Sequence, residues 1–577
     1  MSATLLLPAA AWAPLALALA LAIPRWRAAV TRFSALAAVP ALALALLVQP
    51  GARLDLPWLL QHTVLELDEV GRVFLGFTSA LWLAAGWYAR ATIGRYPSPL
   101  RFHIFFLLSM AGNFTLILAG DIPTFYLGFA VMGLTSAVLV VHHGDAEALR
   151  AGRIYIALAM LGEVLILNGF VFLALAGGTT LVAELHRGVF SPVALLLLLL
   201  GLGIKAGALS LHFWLPLAHP AAPVPASAVL SGAMIKAGLL GWIRFLPLGE
   251  ATLPLSGYTL VAAGLGAAFL GTFVGVVQRN AKAVLAYSSV SQMGIITTGV
   301  GIGALRPDMW STILTALLIY ATHHALAKGS LFLGVGPAHA ARSRLQRLVV
   351  SLGLLLPALA LSGAPLTSGA LAKLALKSNV ALLPPGWAEA TRLLLPLAAV
   401  GTTLKMIRFL WLVWPRAGAL HEGGDDGRGI WSPWLALVAA TFIGIWLVPG
   451  ALGLLPAKLT LEKIWLATWP LLAGGALAAG GAWLRRRIPG DPGRWLPAGD
   501  IGVLWERLLA RLGARLRSAP GAPRADEGEE PPRAATRAWS LVGARLSRVE
   551  ERLRELPLAG AALLLLIGLL LWLVTER

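Results

Sequence analysis

The chain has 577 residues, 58% of them hydrophobic, with a mean hydropathy of +0.78, so a bilayer rather than water is its reference solvent. It has no cysteine, which excludes disulfides, iron–sulfur clusters and thiolate metal sites. The net charge of +19 would suit nucleic acid, but the basic residues sit in loops between apolar runs, the pattern of the positive-inside rule.

In chain order, apolar spans are predicted near 3–22, 29–48, 72–92, 101–119, 122–142, 153–176, 190–213, 223–248, 257–277, 283–303, 309–337, 346–378, 391–414, 433–454, 464–484 and 557–574. The fold class is therefore an all-α polytopic membrane protein with about 16 transmembrane helices. The first run lacks a basic leader and is followed directly by a second, so it is expected to persist as a helix rather than to act as a signal peptide. Placing the N-terminus outside puts Arg25, Arg27, Arg32, Arg90, Arg95, Arg101, Arg150, Arg153, Arg279, Lys282, Arg342, Arg344 and Arg347 on the cytoplasmic side of a cell inner membrane. The opposite loops then carry Asp55, Glu66, Asp68, Glu69, Asp121 and Glu250.

Residues 485–556 differ in kind. Two stretches, 501–517 and 538–555, carry apolar residues at helical spacing among many arginines, as in amphipathic helices at a membrane surface or along other helices. The proline-rich, charged stretch between them reads as a linker.

The chemistry concentrates between Gly201 and Gly249. Two apolar segments carry interior lysines, Lys205 and Lys236, and Pro216, Pro220, Pro223 and Pro225 rule out one continuous helix between them. Ionisable groups within spans are rare and normally face a protein interior or a water path. Here they are Glu163, Lys205, Lys236, His323, His324, Lys328, Lys373, Lys377 and Lys405. His324 and Lys328 share a helix face, as do Lys373 and Lys377, while Lys405 has a snorkelling alternative beside Arg408. Buried lysines, a carboxylate and neutral-range histidines are the components of a proton path shielded from lipid. Each can also serve only to fix helix packing. His142, His143, His212, His219 and His339 lie near loops or span ends, where capping or interfacial contacts are expected.

The stretches KAGALSLHFWLPLAHPAAPVPASAVLSGAMIKAG, QRNAKAVLAYSSVSQMG, HHALAKGSLFLGVG and LSGAPLTSGALAK resemble the antiporter-like proton-translocating subunits shared by respiratory complex I, hydrogenase-4-type membrane-bound hydrogenases and multisubunit cation/proton antiporters. The resemblance covers roughly residues 100–415. It implies a 14-helix core with two inverted five-helix repeats, each with a broken helix, and a C-terminal extension similar to that of the largest such subunit. The expected division is 1–100 for N-terminal helices, 101–248 and 257–415 for the repeats, 433–484 for further helices, 485–556 for the basic segment and 557–577 for the last helix.

The resemblance makes Lys205 and Lys373 the lysines of the two broken helices, Lys236 the connecting lysine, and His324 with Lys328 the central relay; His323, Lys377 and Lys405 are additional candidates. The family's Trp-Glu pair is replaced by Phe129 and Ala130, and Glu163 is the candidate substitute for the absent carboxylate. Ser210 stands where proline is common, and Ser231 where some members have histidine. The expected function is a proton-conducting subunit moving protons along this Lys/Glu/His axis. The complex is respiratory or hydrogenase-type, with other membrane subunits as partners, no cofactor or metal, no catalytic site of its own and no nucleic acid. Sodium as the ion, a cation/proton antiporter, an inorganic-carbon uptake module and a non-conducting structural subunit are the alternatives.

Overall fold

The computed structural model describes residues 3–60, 62–185, 191–415, 428–451, 460–485 and 499. Met1–Leu56 with Thr63–Asp500 form one compact unit, to which everything below refers; of the second unit only 57–60 and 62 are described. The expected helices at 501–517, 538–555 and 557–574 lie outside the described residues.

The unit is built almost wholly of helices. The first are α1 (Ala3–Ala20), α2 (Arg27–Phe33) and α3 (Val39–Leu47); a 3₁₀ segment, Ser34–Ala38, divides the expected second span. An antiparallel hairpin that the span reading did not foresee follows, β1 (Ala52–Leu56) and β2 (Thr63–Leu67), with Leu54 opposite Leu65. Then come α4 (Glu69–Thr92), α5 (Pro99–Leu118), α6 (Ile122–Val140), α7 (Ala146–Gly177), α8 (Val182–Leu185), α9 (Pro192–Ala206), α10 (Trp214–Ala221), α11 (Val224–Val229) and α12 (Lys236–Phe245). The second half has α13 (Pro254–Gly275), α14 (Ala281–Leu305), α15 (Trp310–Ala340), α16 (Arg344–Ser362), α17 (Ser368–Ser378), α18 (Pro385–Val413), α19 (Arg428–Ala451) and α20 (Leu461–Arg485). Among the described residues, 10 helical stretches are long and apolar enough to cross a membrane.

Helix starts follow from short polar side chains that accept bonds from orphan N–H groups of the first turn. Asp121 accepts from Thr124 N at 2.8 Å and Asp145 from Ala148 N at 2.7 Å, while Ser343 and Gln346 form a capping box on α16. Asp121 also accepts from Val64 N at 2.7 Å, so one carboxylate starts α6 and pins the hairpin.

Loop ends fall into two sets, as alternating spans require. On one face Arg101 donates to His142 O, Lys282 to Ala222 O and Arg408 to Gln278 O. On the other, Arg244 closes the C-terminus of α5 through Leu116 O, Ile117 O and Ala119 O and pairs with Asp68 at 3.1 Å, and Arg306 donates to Leu382 O. The first set joins loops carrying the expected cytoplasmic arginines.

The helix breaks position the site. α9 stops where Gly207 turns left-handed (φ +69°), and α16 stops where Gly363 does (φ +88°), because glycine enters that region without a Cβ penalty. In both, the following alanine N–H reaches back to a carbonyl near the helix end, Ala208 to Gly203 O and Ala364 to Leu359 O. In both, the residue three beyond the glycine also has positive φ, Ser210 at 68° and Leu366 at 64°. The first break thus lies at Gly207–Phe213, before the prolines that were expected to cause it. Pro216 sits in the first turn of α10, where a missing N–H is harmless, and Pro220 falls near its end. A third irregularity, a π-turn at Leu230–Met234, separates α11 from α12 and was not foreseen.

Glycines let paired helices touch backbone to backbone, the close approach that membrane helices use in place of a hydrophobic driving force. A Cβ on Gly264 of α13 would stand 2.5 Å from Gly294 O of α14, and one on Gly112 of α5 would stand 2.5 Å from Met132 N of α6. Gly264→Ala is therefore expected to destabilise the purified protein by about 1–3 kcal/mol. Gly475→Ala on α20, where nothing lies within 4 Å, leaves the thermal midpoint in detergent unchanged.

Candidate functional site

Lys205 occupies the last turn of α9, beside the break, with 6% of its surface exposed. Its ammonium donates to Tyr155 Oη at 2.9 Å. It also lies 5.3 Å from the Tyr155 ring centroid, 5.9 Å from that of Trp214 and 6.0 Å from that of Phe129. Glu163, on α7 with Tyr155, lines the same small cavity, is 8% exposed, and has a buried Oε2 without a hydrogen-bond partner. Both approach Gly133 of α6, whose added Cβ would stand 3.0 Å from Glu163 Oε1 and 3.9 Å from Lys205 Nζ. Glu163 and Lys205 are thus brought together, as expected, but the ammonium bonds to tyrosine.

The lysines that follow are buried and held by neutral oxygens. Lys236 opens α12 just after the π-turn and donates to Ser231 O at 2.6 Å. The Ser231 hydroxyl meets that of Ser289 on α14 at 2.8 Å; Ser289 donates to Leu285 O, which also accepts from Lys328 Nζ of α15 at 2.8 Å. Lys236 and Lys328 thus end on two carbonyls, Ser231 O and Leu285 O, with the paired hydroxyls of Ser231 and Ser289 between them. His324, on α15, is fully buried with both ring nitrogens unpartnered, and lies within Coulombic reach of both lysines. A lone buried cation is costly, so each ammonium needs such oxygens to remain charged.

His323, the neighbour of His324, points elsewhere: its Nδ1 bonds Ser368 Oγ at 2.7 Å, at the start of α17. Lys373 on α17 donates to Leu361 O at 2.8 Å and Ser362 O at 2.7 Å, the carbonyls left open where α16 breaks. It is half-buried and shares with Lys377 a cavity of ≈ 60 Å³, also lined by Ser362, Pro396 of α18 and Pro470 of α20. A space of that size holds water. Lys405 is fully buried and donates to Thr272 Oγ1 of α13 at 2.9 Å, which corrects the snorkelling alternative: its side chain turns inward.

His142, His212 and His219, expected to make capping or interfacial contacts, are wholly buried, and His219 stacks on Phe332 with centroids 4.6 Å apart. The sequence reading also passed over Tyr155, Ser289, Thr272 and the set in which Gln292 accepts from Tyr320 Oη at 2.8 Å and donates to Thr402 Oγ1 at 3.0 Å. Helical spacing carries part of the missing signal, since Tyr155 and Glu163 are eight residues apart on one helix. Among the described residues, no group of three or more His, Asp or Glu is placed to hold a metal ion.

Residues 119–389 match the family model described as NADH:quinone oxidoreductase/Mrp antiporter, TM. Relatives include hydrogenase-4 component B of Escherichia coli strain K12, 31% identical over 299 residues, covering 49% of this chain and 44% of that protein. A putative antiporter subunit mnhA2 of Staphylococcus saprophyticus is 28% identical over 349 residues, covering 55% and 44%. An uncharacterised Mycobacterium tuberculosis protein is 32% identical over 292 residues, covering 48% and 45%. The chain thus spans less than half the length of these curated relatives. The Mrp complex structure from Dietzia sp. DQ12-45-1b superposes with TM-score 0.70 at 21% identity, covering 95% of this chain and 63% of that one. The membrane-bound sulfane sulfur reductase, an archaeal respiratory membrane complex, gives 0.63 at 19%, covering 83% and 99%. At these identities the two structures establish a shared fold.

The first break supplies its own test. Trp214 Nε1 donates to Ile204 O at 2.8 Å, so Trp214→Phe leaves that buried carbonyl only its longer bond from Gly207 N at 3.2 Å. A loss of about 1–3 kcal/mol is expected, read as a lowered thermal midpoint in detergent.

Proposed function

We propose that the chain, whose residues 119–389 match the family model described as NADH:quinone oxidoreductase/Mrp antiporter, TM, is a proton-translocating, antiporter-like subunit of a multisubunit respiratory or hydrogenase-type complex. The observation that carries this reading is the succession of lysines Lys205, Lys236, Lys328 and Lys373, bonded to neutral oxygens and running from one broken helix to the other. Lysine changes protonation readily when buried, and oxygens at helix breaks receive its charged form.

Lys205 and Lys373 are the principal protonation sites. Lys236, His324 and Lys328 relay between them, and His323, bonded to Ser368 at the start of α17, is an additional candidate. Glu163 supplies the carboxylate of the first half-channel. Lys377 adds a second cation to the cavity of Lys373, and Lys405 acts electrostatically on Lys328. The two halves are built on one plan, a reading supported by the matching left-handed pairs Gly207/Ser210 and Gly363/Leu366. The N-terminus is outside, a reading supported by the loops that meet around His142, Ala222 and Gln278, which carry Arg95, Arg101, Arg150, Arg153, Arg279 and Lys282.

Inverted membrane vesicles carrying the whole complex test the proposal. Lys205→Ala and Lys373→Ala each lower proton translocation by about tenfold or more while the subunits still co-purify, a loss of at least ~1.4 kcal/mol at the limiting step. Wild-type pumping by Lys373→Ala refutes the proposal. Glu163→Gln lowers transport by a similar factor; intact transport in that variant removes Glu163 from its role and leaves the lysine axis standing. The partners that co-purify identify the complex: iron–sulfur, nickel or flavin proteins for a redox pump, small membrane proteins alone for a cation/proton antiporter.

A further inference from the structure

We propose that Phe129, Tyr155 and Trp214 form an aromatic seat for the Lys205 ammonium, and that Tyr155 is a positioning residue which competes with Glu163 for that ammonium. The inference rests on the transport reading above and adds a second resting place for its first lysine.

The geometry supports two seats. In the first, which the structure shows, the ammonium faces three rings at 5.3–6.0 Å and donates to Tyr155 Oη at 2.9 Å. Aromatic faces carry negative quadrupole charge, and a cation within about 6 Å of a ring centroid is attracted to it, most strongly where water is absent. The hydroxyl direction is set too. Lys205 has only donors to offer, so Tyr155 Oη accepts from it and passes its own hydrogen to Ser136 Oγ or Gly133 O. Ser136 donates in turn to Gly133 O at 2.8 Å. All the donors run away from the ammonium, which stabilises its charged form without any carboxylate.

The second seat is the carboxylate of Glu163. It is nine-tenths buried, with an unpartnered Oε2, in the cavity that Lys205 also lines. Gly133 leaves the approach open, because a side chain there would meet Glu163 Oε1 at 3.0 Å. The ammonium therefore has a neutral seat, which it occupies, and an anionic one within the same small cavity. Tyr155 prevents permanent pairing with Glu163, and moving between the seats changes the charge that Glu163 presents to the rest of the path.

The test uses vesicles containing the assembled complex. Tyr155→Phe keeps the ring and removes the acceptor, and is expected to lower proton translocation about tenfold to a hundredfold, the effect of losing one charge-assisted hydrogen bond. Lys205→Ala empties the seat, and added n-propylammonium, the fragment deleted from the side chain, restores transport. That rescue disappears when Trp214→Leu is combined with Lys205→Ala, and propylammonium does not restore Lys373→Ala, which lacks the rings. Wild-type transport by Tyr155→Phe, or a rescue indifferent to Trp214, overturns the seat while leaving the lysine axis in place. Wild-type transport by Lys205→Ala overturns both.

Discussion

Hydrocarbon offers no hydrogen bonds, so a helix that stops within a bilayer must find partners for its open carbonyls inside the protein. The rest of this structure depends on that constraint. α9 and α16 both stop at left-handed glycines, and the carbonyls they leave are met by Trp214 at the first break and by Lys373 at the second. A neutral indole satisfies one and an ammonium the other. The same acceptors that make each break tolerable also hold a cation or lie one residue from one, so backbone irregularity and charge stabilise each other.

Between the breaks, close packing replaces hydration. Glycine pairs draw α5 onto α6 and α13 onto α14 until backbones touch. The polar groups there are consequently serines, threonines and main-chain carbonyls, small enough to fit and able to donate or accept. The two serines between Lys236 and Lys328 show the result: paired hydroxyls flanked by the carbonyls that hold the two ammonium groups.

Much of this was legible in the sequence. Apolar length gave the spans, and lysines inside them marked the axis, because few other residue types are so costly to place there. The breaks were legible only in part. Prolines drew attention to 216–225, yet the chain turns at Gly207, where the cue is a glycine after a lysine rather than a proline. Spans read as apolar runs could not show a hairpin, whose alternating residues are too few to stand out, nor a π-turn, which has no compositional mark. His219 and His142 read as interfacial because they sit near span ends in sequence, while tertiary packing covers them completely. Tyr155 was passed over because a tyrosine in an apolar run is ordinary; only its distance to Lys205 gives it meaning.

Pro470, Leu466 and Ala467 of α20 form part of the wall of the Lys373 cavity, and they lie well beyond residues 119–389. The second lysine is thus screened by a helix outside the matched segment, whereas the chamber around Lys205 is lined wholly from residues within it. Exchanging these three uncharged residues of α20 would therefore alter the wetting of the Lys373 cavity without touching a single group that carries charge.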